Sequence, residues 1–231
     1  MTTSGTTAFT LDLGDLIEEA WERCGSASAT GYDLRTSRRS LNILFADWAN
    51  RGVNLWTLDS GSVTLTPGTA TYALPADTVD VLDCVIRVGA GSASTQNDQS
   101  IMRISASTYS VIPNKLNTGR PIQMMVTRGT DNPSVTVYPL PDNSQVYTFV
   151  YWRLRRIQDA GTNAAVTSDI PFRMLPALVA GLAYYLAFKI AGAGERLATL
   201  KTVYDEAWQA AADEDRDRST TRMVPWVSGY L

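Results

Sequence analysis

The chain has 231 residues, of which 45% are hydrophobic and 19% charged, with a net charge of −3. This composition is typical of a globular protein with one large domain or two small ones, and it lacks the basic excess of proteins that read nucleic-acid sequence. Histidine is absent, which excludes the histidine-dependent nucleophilic triads and the commonest zinc ligand.

The N-terminal part predicts two amphipathic helices. The first ten residues contain no Lys or Arg and no apolar run, so we predict neither a signal peptide nor a transit peptide. Apolar residues at i, i+3 and i+4 predict a first helix from about Asp12 to Cys24, ended by Gly25. Thr30 is the predicted cap of a second helix that ends at Gly52.

The second helix has two different faces. Its apolar stripe consists of Leu34, Leu41, Phe45 and Trp48. The opposite face carries Arg35, Arg38 and Arg39. Such a charged face is most often exposed to solvent. Less often it contacts a neighbouring copy in a ring of subunits or a nucleic acid, so the charge pattern alone does not decide its role.

The middle of the chain predicts β-structure, because the apolar residues alternate with polar ones. Residues 62–65 and 71–74 are predicted to form a hairpin around the turn at Pro67 and Gly68. A third strand is predicted over 79–88, and a Gly/Ser/Gln/Asn loop over 89–100. The remaining predicted strands are 101–104, 122–127, 135–138 and 146–154.

Helices are predicted again from Ser168. The uncharged run 174–188 has fifteen residues, fewer than the roughly 20 needed to span a bilayer, so it predicts a buried helix. A last helix is predicted from Glu195 to about Arg216.

These elements predict an α+β fold with a discontinuous helical domain. Stripes carrying Trp21, Trp48 and Trp208 can meet in one helical bundle. The predicted domains are the first helical part (1–59), an inserted antiparallel β module (60–156), the second helical part (157–218) and an extended C-terminal tail (219–231).

The tail is too apolar for a purely solvated segment, and Pro225 opposes a helix. Burial of Trp226 alone removes about 200 Å² from water, or roughly 5 kcal/mol before ordering costs. The tail either folds back on its own domain or, as we favour, docks on another chain. The candidate docking residues are Arg222, Met223, Val224, Pro225, Trp226, Val227 and Tyr230.

No residues are predicted to be catalytic or to hold a cofactor or a metal. Asp77, Asp80 and Asp83 lie three apart along a strand, which is not the spacing of a calcium loop. Cys24 and Cys84 form no C-x-x-C pair and are predicted to be reduced core residues.

Several motifs follow one another in a characteristic order along residues 10–226. The most specific is Asp169-Ile-Pro171 with the apolar run 177–187. The others lie within 72–77, 104–109, 112–115, 119–121, 138–142, 204–207 and 215–225. Together they resemble the head-to-tail adaptor proteins of short-tailed bacteriophages, also called packaged-DNA stabilisation or head-completion proteins.

The resemblance implies a structural protein of the virion neck, made in the host cytoplasm and without enzymatic activity. Such a protein forms a ring, expected to be twelve-fold, under the portal protein, extends the DNA channel towards downstream tail proteins and retains the packaged DNA. Double-stranded DNA then passes without sequence-specific binding, and no membrane is involved. The possible ring-interface residues are Arg35, Arg38, Arg39, Arg216 and Arg218.

Two alternatives from other classes remain at this point. A tail-associated cell-wall hydrolase needs an acid/base pair in a cleft. A host-surface binding module is expected to be a β-rich trimer with affinity for glycans. Sequence spacing alone excludes neither.

Overall fold

The computed structural model describes residues 4–6, 9–26, 31–52, 55–129, 132–163 and 165–215. They form a mixed α+β fold, which confirms the predicted fold class. Contacts divide them into two units. The helical unit comprises the described residues of 1–55 and 159–215, and the β unit comprises those of 56–158.

The described residues contain the following α-helices: α1 (Leu13–Cys24), α2 (Gly31–Asn50), α3 (Ala106–Ser110), α4 (Leu175–Ala187) and α5 (Leu197–Glu214). Helix α3 belongs to the β unit and was not predicted. Short 3₁₀ turns precede α4 and α5, so both helices begin later than the sequence predicts.

Helix α1 has the predicted ends. The side chain of Asp12 accepts a hydrogen bond of 2.8 Å from the backbone N–H of Asp15, which satisfies a free donor of the first turn. At the other end, Gly25 has φ +88° and donates its N–H to the carbonyl of Glu22. A left-handed glycine is a common way to end a helix.

Tryptophan side chains join the helices inside the helical unit. The rings of Trp48 and Trp208 lie 4.9 Å apart, and the indole N–H of Trp48 donates to the Tyr204 hydroxyl at 2.9 Å. The indole N–H of Trp21 donates to Ser37 Oγ, also at 2.9 Å. These bonds connect α2 with α5 and α1 with α2 at defined positions.

Helix α4 is the centre of this unit and is buried on most sides. Its Gly181 allows close packing, since a Cβ there would lie 2.8 Å from the Tyr204 ring and 3.1 Å from Leu44. The Cys24 thiol bonds the carbonyl of Ala183 at 3.1 Å. None of the helices in the described part of the chain has both the length and the apolar character required to cross a membrane.

The strands of the β unit are β1 (Leu58–Thr64), β2 (Thr71–Ala73), β3 (Thr78–Val88), β4 (Asn97–Ser100), β5 (Met102–Arg103), β6 (Thr118–Gly119), β7 (Gln123–Thr127), β8 (Ser134–Tyr138), β9 (Leu140–Pro141) and β10 (Tyr147–Arg155). One sheet has the order β1-β10-β3-β4 and another the order β2-β8-β7-β5, while β6 and β9 pair separately. Most pairs are antiparallel, but β5–β7 and β6–β9 are parallel. Side chains from both four-stranded sheets form one apolar core.

The predicted hairpin of residues 62–74 is wrong. Strand β1 pairs with β10, and β2 pairs with β8 in the other sheet. The turn itself is present, but the Tyr72 hydroxyl accepts a bond from the N–H of Thr66 and lies 2.9 Å from the carbonyl oxygen of Thr69. The Tyr72 side chain thus binds the turn residues, and the chain passes from one sheet to the other around this turn.

The predicted loop 89–100 is shorter than expected. Its last four residues form β4, which pairs with the second half of β3. Three of the four are exposed, so the strand is held by backbone pairing. Its sequence therefore has no alternation of apolar and polar residues from which a strand could be predicted. A bidentate ion pair between Arg87 and Asp98, with both bonds at 2.7 Å, joins the two strands.

Candidate interaction surfaces

Helix α2 carries the predicted basic face on the outside of the helical unit. Arg35 and Arg39 are exposed and Arg38 is half-buried. Their spacing of three and four residues places them on one side of the helix. Among the buried side-chain nitrogens of the described residues, Nε of Arg38 has no hydrogen-bond partner. The structure therefore brings together three of the five possible ring-interface arginines.

Lys189, just after α4, extends this basic face and was not singled out from the sequence. Its ammonium group bonds Ser40 Oγ at 2.6 Å and the carbonyl of Thr36 at 3.2 Å, both on α2. Partial desolvation, with a smaller contribution from the nearby Arg39, lowers its pKa. No sequence signal could reveal this neighbour, because it lies about 150 residues from α2 along the chain.

The end of α5 is held firmly in the helical unit. The side chain of Asp215 is fully buried and forms an ion pair with Arg173. It also accepts a hydrogen bond of 3.2 Å from the backbone N–H of Leu55. The last described residue of the chain is therefore fixed beside Arg173.

Beside Arg173 lies a groove of about 680 Å³, which we call the acidic groove. Its apolar residues come from the N-terminal segment and from the start of α4. They are Phe9, Leu11, Phe172, Leu175, Pro176 and Val179. The rings of Phe9 and Phe172 meet edge to face at 6.3 Å, yet these side chains are 64% and 67% exposed. The groove thus presents aromatic surface to solvent.

One wall of the acidic groove is the outer face of α1. It carries four carboxylates, which are Asp15, Glu18, Glu19 and Glu22. The two arginines of the lining are already paired, Arg23 with Glu19 at 2.8 Å and Arg173 with Asp215. The groove therefore combines an apolar floor with a negative wall. Sequence analysis missed it because its residues lie in two stretches, 9–23 and 172–179, that are far apart along the chain.

The three acids considered for a cation site lie in the β unit. Asp77 binds Arg153 at 2.5 Å, and this hydrogen bond lowers the pKa of its carboxyl group. Asp80 is bridged by Arg103 and Arg128. Asp83 accepts from the backbone N–H of Cys84 at 2.8 Å. Two of these three carboxylates are thus paired with arginine side chains.

The two cysteines are buried and unbonded to each other. Burial raises the pKa of both thiols to about 11. Such thiols carry almost no thiolate at neutral pH and are poor nucleophiles, as predicted for core cysteines.

The remaining predicted site residues lie outside the described part of the chain. They are Arg216 and Arg218 of the possible ring interface, and the portal-docking residues Arg222, Met223, Val224, Pro225, Trp226, Val227 and Tyr230. Their roles stay predictions.

Comparison with known proteins gives one informative result. No match is found among curated proteins. In contrast, the model of one family, described as SU10 adaptor protein, matches residues 11–228. This match spans both structural units and confirms the resemblance to head-to-tail adaptors. The chain belongs to the SU10 adaptor protein family and is a structural adaptor protein of a phage.

Proposed function

We propose that twelve copies of this protein form a ring that docks under the portal, extends the DNA channel and connects the capsid to the tail. The observation that carries this proposal is the family match over residues 11–228, because it includes the helical unit, the β unit and most of the C-terminal tail. The ring retains the packaged DNA and hands it to the downstream tail proteins.

A closed ring needs two different surfaces on each subunit that fit one another. The basic face of α2, extended by Lys189, is one candidate surface. Up to residue 215 the helical unit has nine Lys and Arg against fifteen Asp and Glu. The basic face is therefore a positively charged patch on a unit with net negative charge, and it can bind an acidic surface of the next copy. Arg216 and Arg218 are the further candidates for this contact.

The tail supplies the contact with the portal. Asp215, four residues before the tail, is held in the helical unit, and Met223, Val224 and Trp226 of the tail offer apolar anchors. Large buried aromatic side chains dominate the energetics of many interfaces. Twelve tails on one ring engage the portal together, so each contact can be weak while the whole assembly is stable.

The charge of the protein suits a DNA conduit. Phosphate binding depends on clusters of Lys and Arg that displace counterions from DNA. A chain with a net charge of −3 repels phosphates weakly overall and lets DNA slide. This supports passage without sequence-specific binding.

A charge reversal tests the ring interface. Arg39→Glu places a negative charge in the centre of the basic face, whereas Lys201→Glu makes the same change at an exposed position of α5. Electron microscopy of portal complexes should show rings with Lys201→Glu and few or incomplete rings with Arg39→Glu. Equal ring formation by the two variants would show that the basic face is not part of the ring interface. Absence of any ring on the portal with the unmodified chain would refute the proposed function.

A further inference from the structure

The acidic groove is a binding surface without an occupant among the described residues. Its volume of about 680 Å³ falls within the range of about 300–1,000 Å³ that is usual for ligand-binding clefts. Exposed aromatic surface of this kind marks interaction sites in soluble proteins. Its occupant must provide apolar side chains for Phe9 and Phe172 and positive charges for the wall of α1.

The described part of the chain ends at the edge of this groove, and residues 216–218 connect it to the C-terminal tail. Arg173 belongs to the groove lining and holds Asp215, and sixteen residues follow Asp215. The eleven residues from there to Trp226 can extend about 36 Å at 3.3 Å each. The wall from Asp15 to Glu22 is eight residues of α-helix, and its first and last Cα atoms are about 10 Å apart along the axis. The tail is therefore long enough to follow the whole groove.

The chemistry of the tail complements that of the groove. Residues 216–231 contain three arginines and one aspartate, a side-chain charge of +2, whereas the helical unit up to residue 215 has −6. The same segment provides Met223, Val224 and Trp226 as apolar side chains. The arginines at 216, 218 and 222 thus precede the apolar residues of 223–231, and one short segment offers positive groups for the acidic wall and apolar groups for the floor.

We propose that in the unassembled protein residues 216–231 bind the acidic groove of their own chain. The arginines of residues 216–231 face Glu18 and Glu22, and the apolar side chains of the tail cover Phe9 and Phe172. This contact keeps two apolar surfaces away from water until assembly and holds the tail out of premature contacts. The inference requires only the groove and the tail, so it is independent of the partner that the tail binds later.

Hydrogen exchange of the tail in the isolated full-length chain tests this proposal. The double variant Glu18→Arg/Glu22→Arg reverses the wall charge at two exposed positions, and Phe172→Ala removes apolar surface. Glu206→Arg, at an exposed position of α5, is the matched control. In the unmodified chain and the control, backbone amides of residues 219–231 should exchange at least tenfold more slowly than in either groove variant. Melting curves check that every variant is folded.

Three results would overturn the proposal. The tail amides could exchange as fast in the unmodified chain as in the groove variants, or they could be equally protected in all variants, which would place the tail elsewhere. Protection that rises over a tenfold increase in protein concentration would assign the groove to the tail of another copy. Portal binding is measured separately: if truncation after Ser219 abolishes it while the free tail is unprotected, the proposed function stands and this inference fails.

Discussion

The helical unit and the β unit differ in the polar contacts that join their elements, although the helical unit also contains the ion pair of the buried Asp215 with Arg173. In the helical unit, neutral hydrogen bonds such as Trp48 to Tyr204 lie in the interior, while most charged groups lie outside. In the β unit, the nearly buried Arg153 binds Asp59 and Asp77. Indole hydrogen bonds thus join helices at defined positions in one unit, and an arginine shared by two carboxylates joins segments in the other. The basic face and the acidic groove both belong to the helical unit.

The largest expected effect breaks the interior of the helical unit. Trp48→Ala removes a fully buried side chain and its bond to Tyr204, and should cost roughly 3–5 kcal/mol of unfolding free energy. Trp152→Ala, on β10, removes a side chain that is 41% exposed and should cost about 1 kcal/mol. Denaturant titrations of both variants measure the difference. Equal losses would contradict the central role of the Trp48 contact.

The next effect concerns the tail that leaves the helical unit. Trp226→Ala should weaken portal binding by about 2–4 kcal/mol per subunit, because buried tryptophans are dominant anchors. A stop after Ser219 should have at least this effect on binding and shift the melting temperature by no more than about 4 °C. Calorimetry with purified portal and a melting curve measure the two quantities. A large loss of stability with unchanged portal binding would show that Trp226 packs in the core of its own domain and does not bind the portal.

A smaller effect tests the charged contacts of the β unit. The bond from Arg153 lowers the pKa of Asp77, so the stabilisation is present above the unfolded value of 3.8 and disappears as the pH falls through the lower folded value. Asp77→Asn should cost about 1–2 kcal/mol at pH 7, and the difference from the unmodified chain should shrink below pH 3.8.

Asp83→Asn is the matched control for Asp77→Asn, since both are on or beside β3 and Asp83 accepts from a backbone N–H instead. Its stability difference should be smaller at pH 7. If Asp77→Asn kept the full acid dependence of the unmodified chain, the contact with Arg153 would not be the origin of that dependence.

The smallest effect is the one that removal of the whole β unit should have on the folding of the helical unit. The flanking residues have partners within the helical unit: Leu55 donates to Asp215, and the N–H of Ala160 donates to Asn42 at 2.8 Å. Replacement of residues 56–158 by a short Gly/Ser linker should therefore leave a cooperatively unfolding helical protein. Circular dichroism during thermal unfolding checks this. Loss of the helical signal would show that the helical unit depends on the β unit.

The sequence predicts elements well where local patterns determine them. Helix α1 is such a case, since its apolar stripe and the Gly25 that ends it lie within residues 12–25. The failed hairpin of residues 62–74 shows the limit. A Pro-Gly turn between two alternating segments is compatible with pairing, and only the contacts with β10 and β8 decide against it.

The candidate surfaces follow the same rule. The basic face of α2 is readable because its arginines are three and four residues apart. The acidic groove is not readable, because Phe9 and Phe172 are 163 positions apart and meet only in the folded chain. Lys189 could not be assigned to the basic face from the sequence either, because it meets Ser40 of α2 only in the folded chain.

The most direct test of the account is the mass of the protein measured alone and with the portal by light scattering or native mass spectrometry. We expect the isolated chain to be monomeric or weakly associated at micromolar concentration, because ring formation requires the portal as a template. Addition of portal should give one complex with twelve copies of this chain. A stable closed oligomer without portal, or no complex with it, would contradict the account.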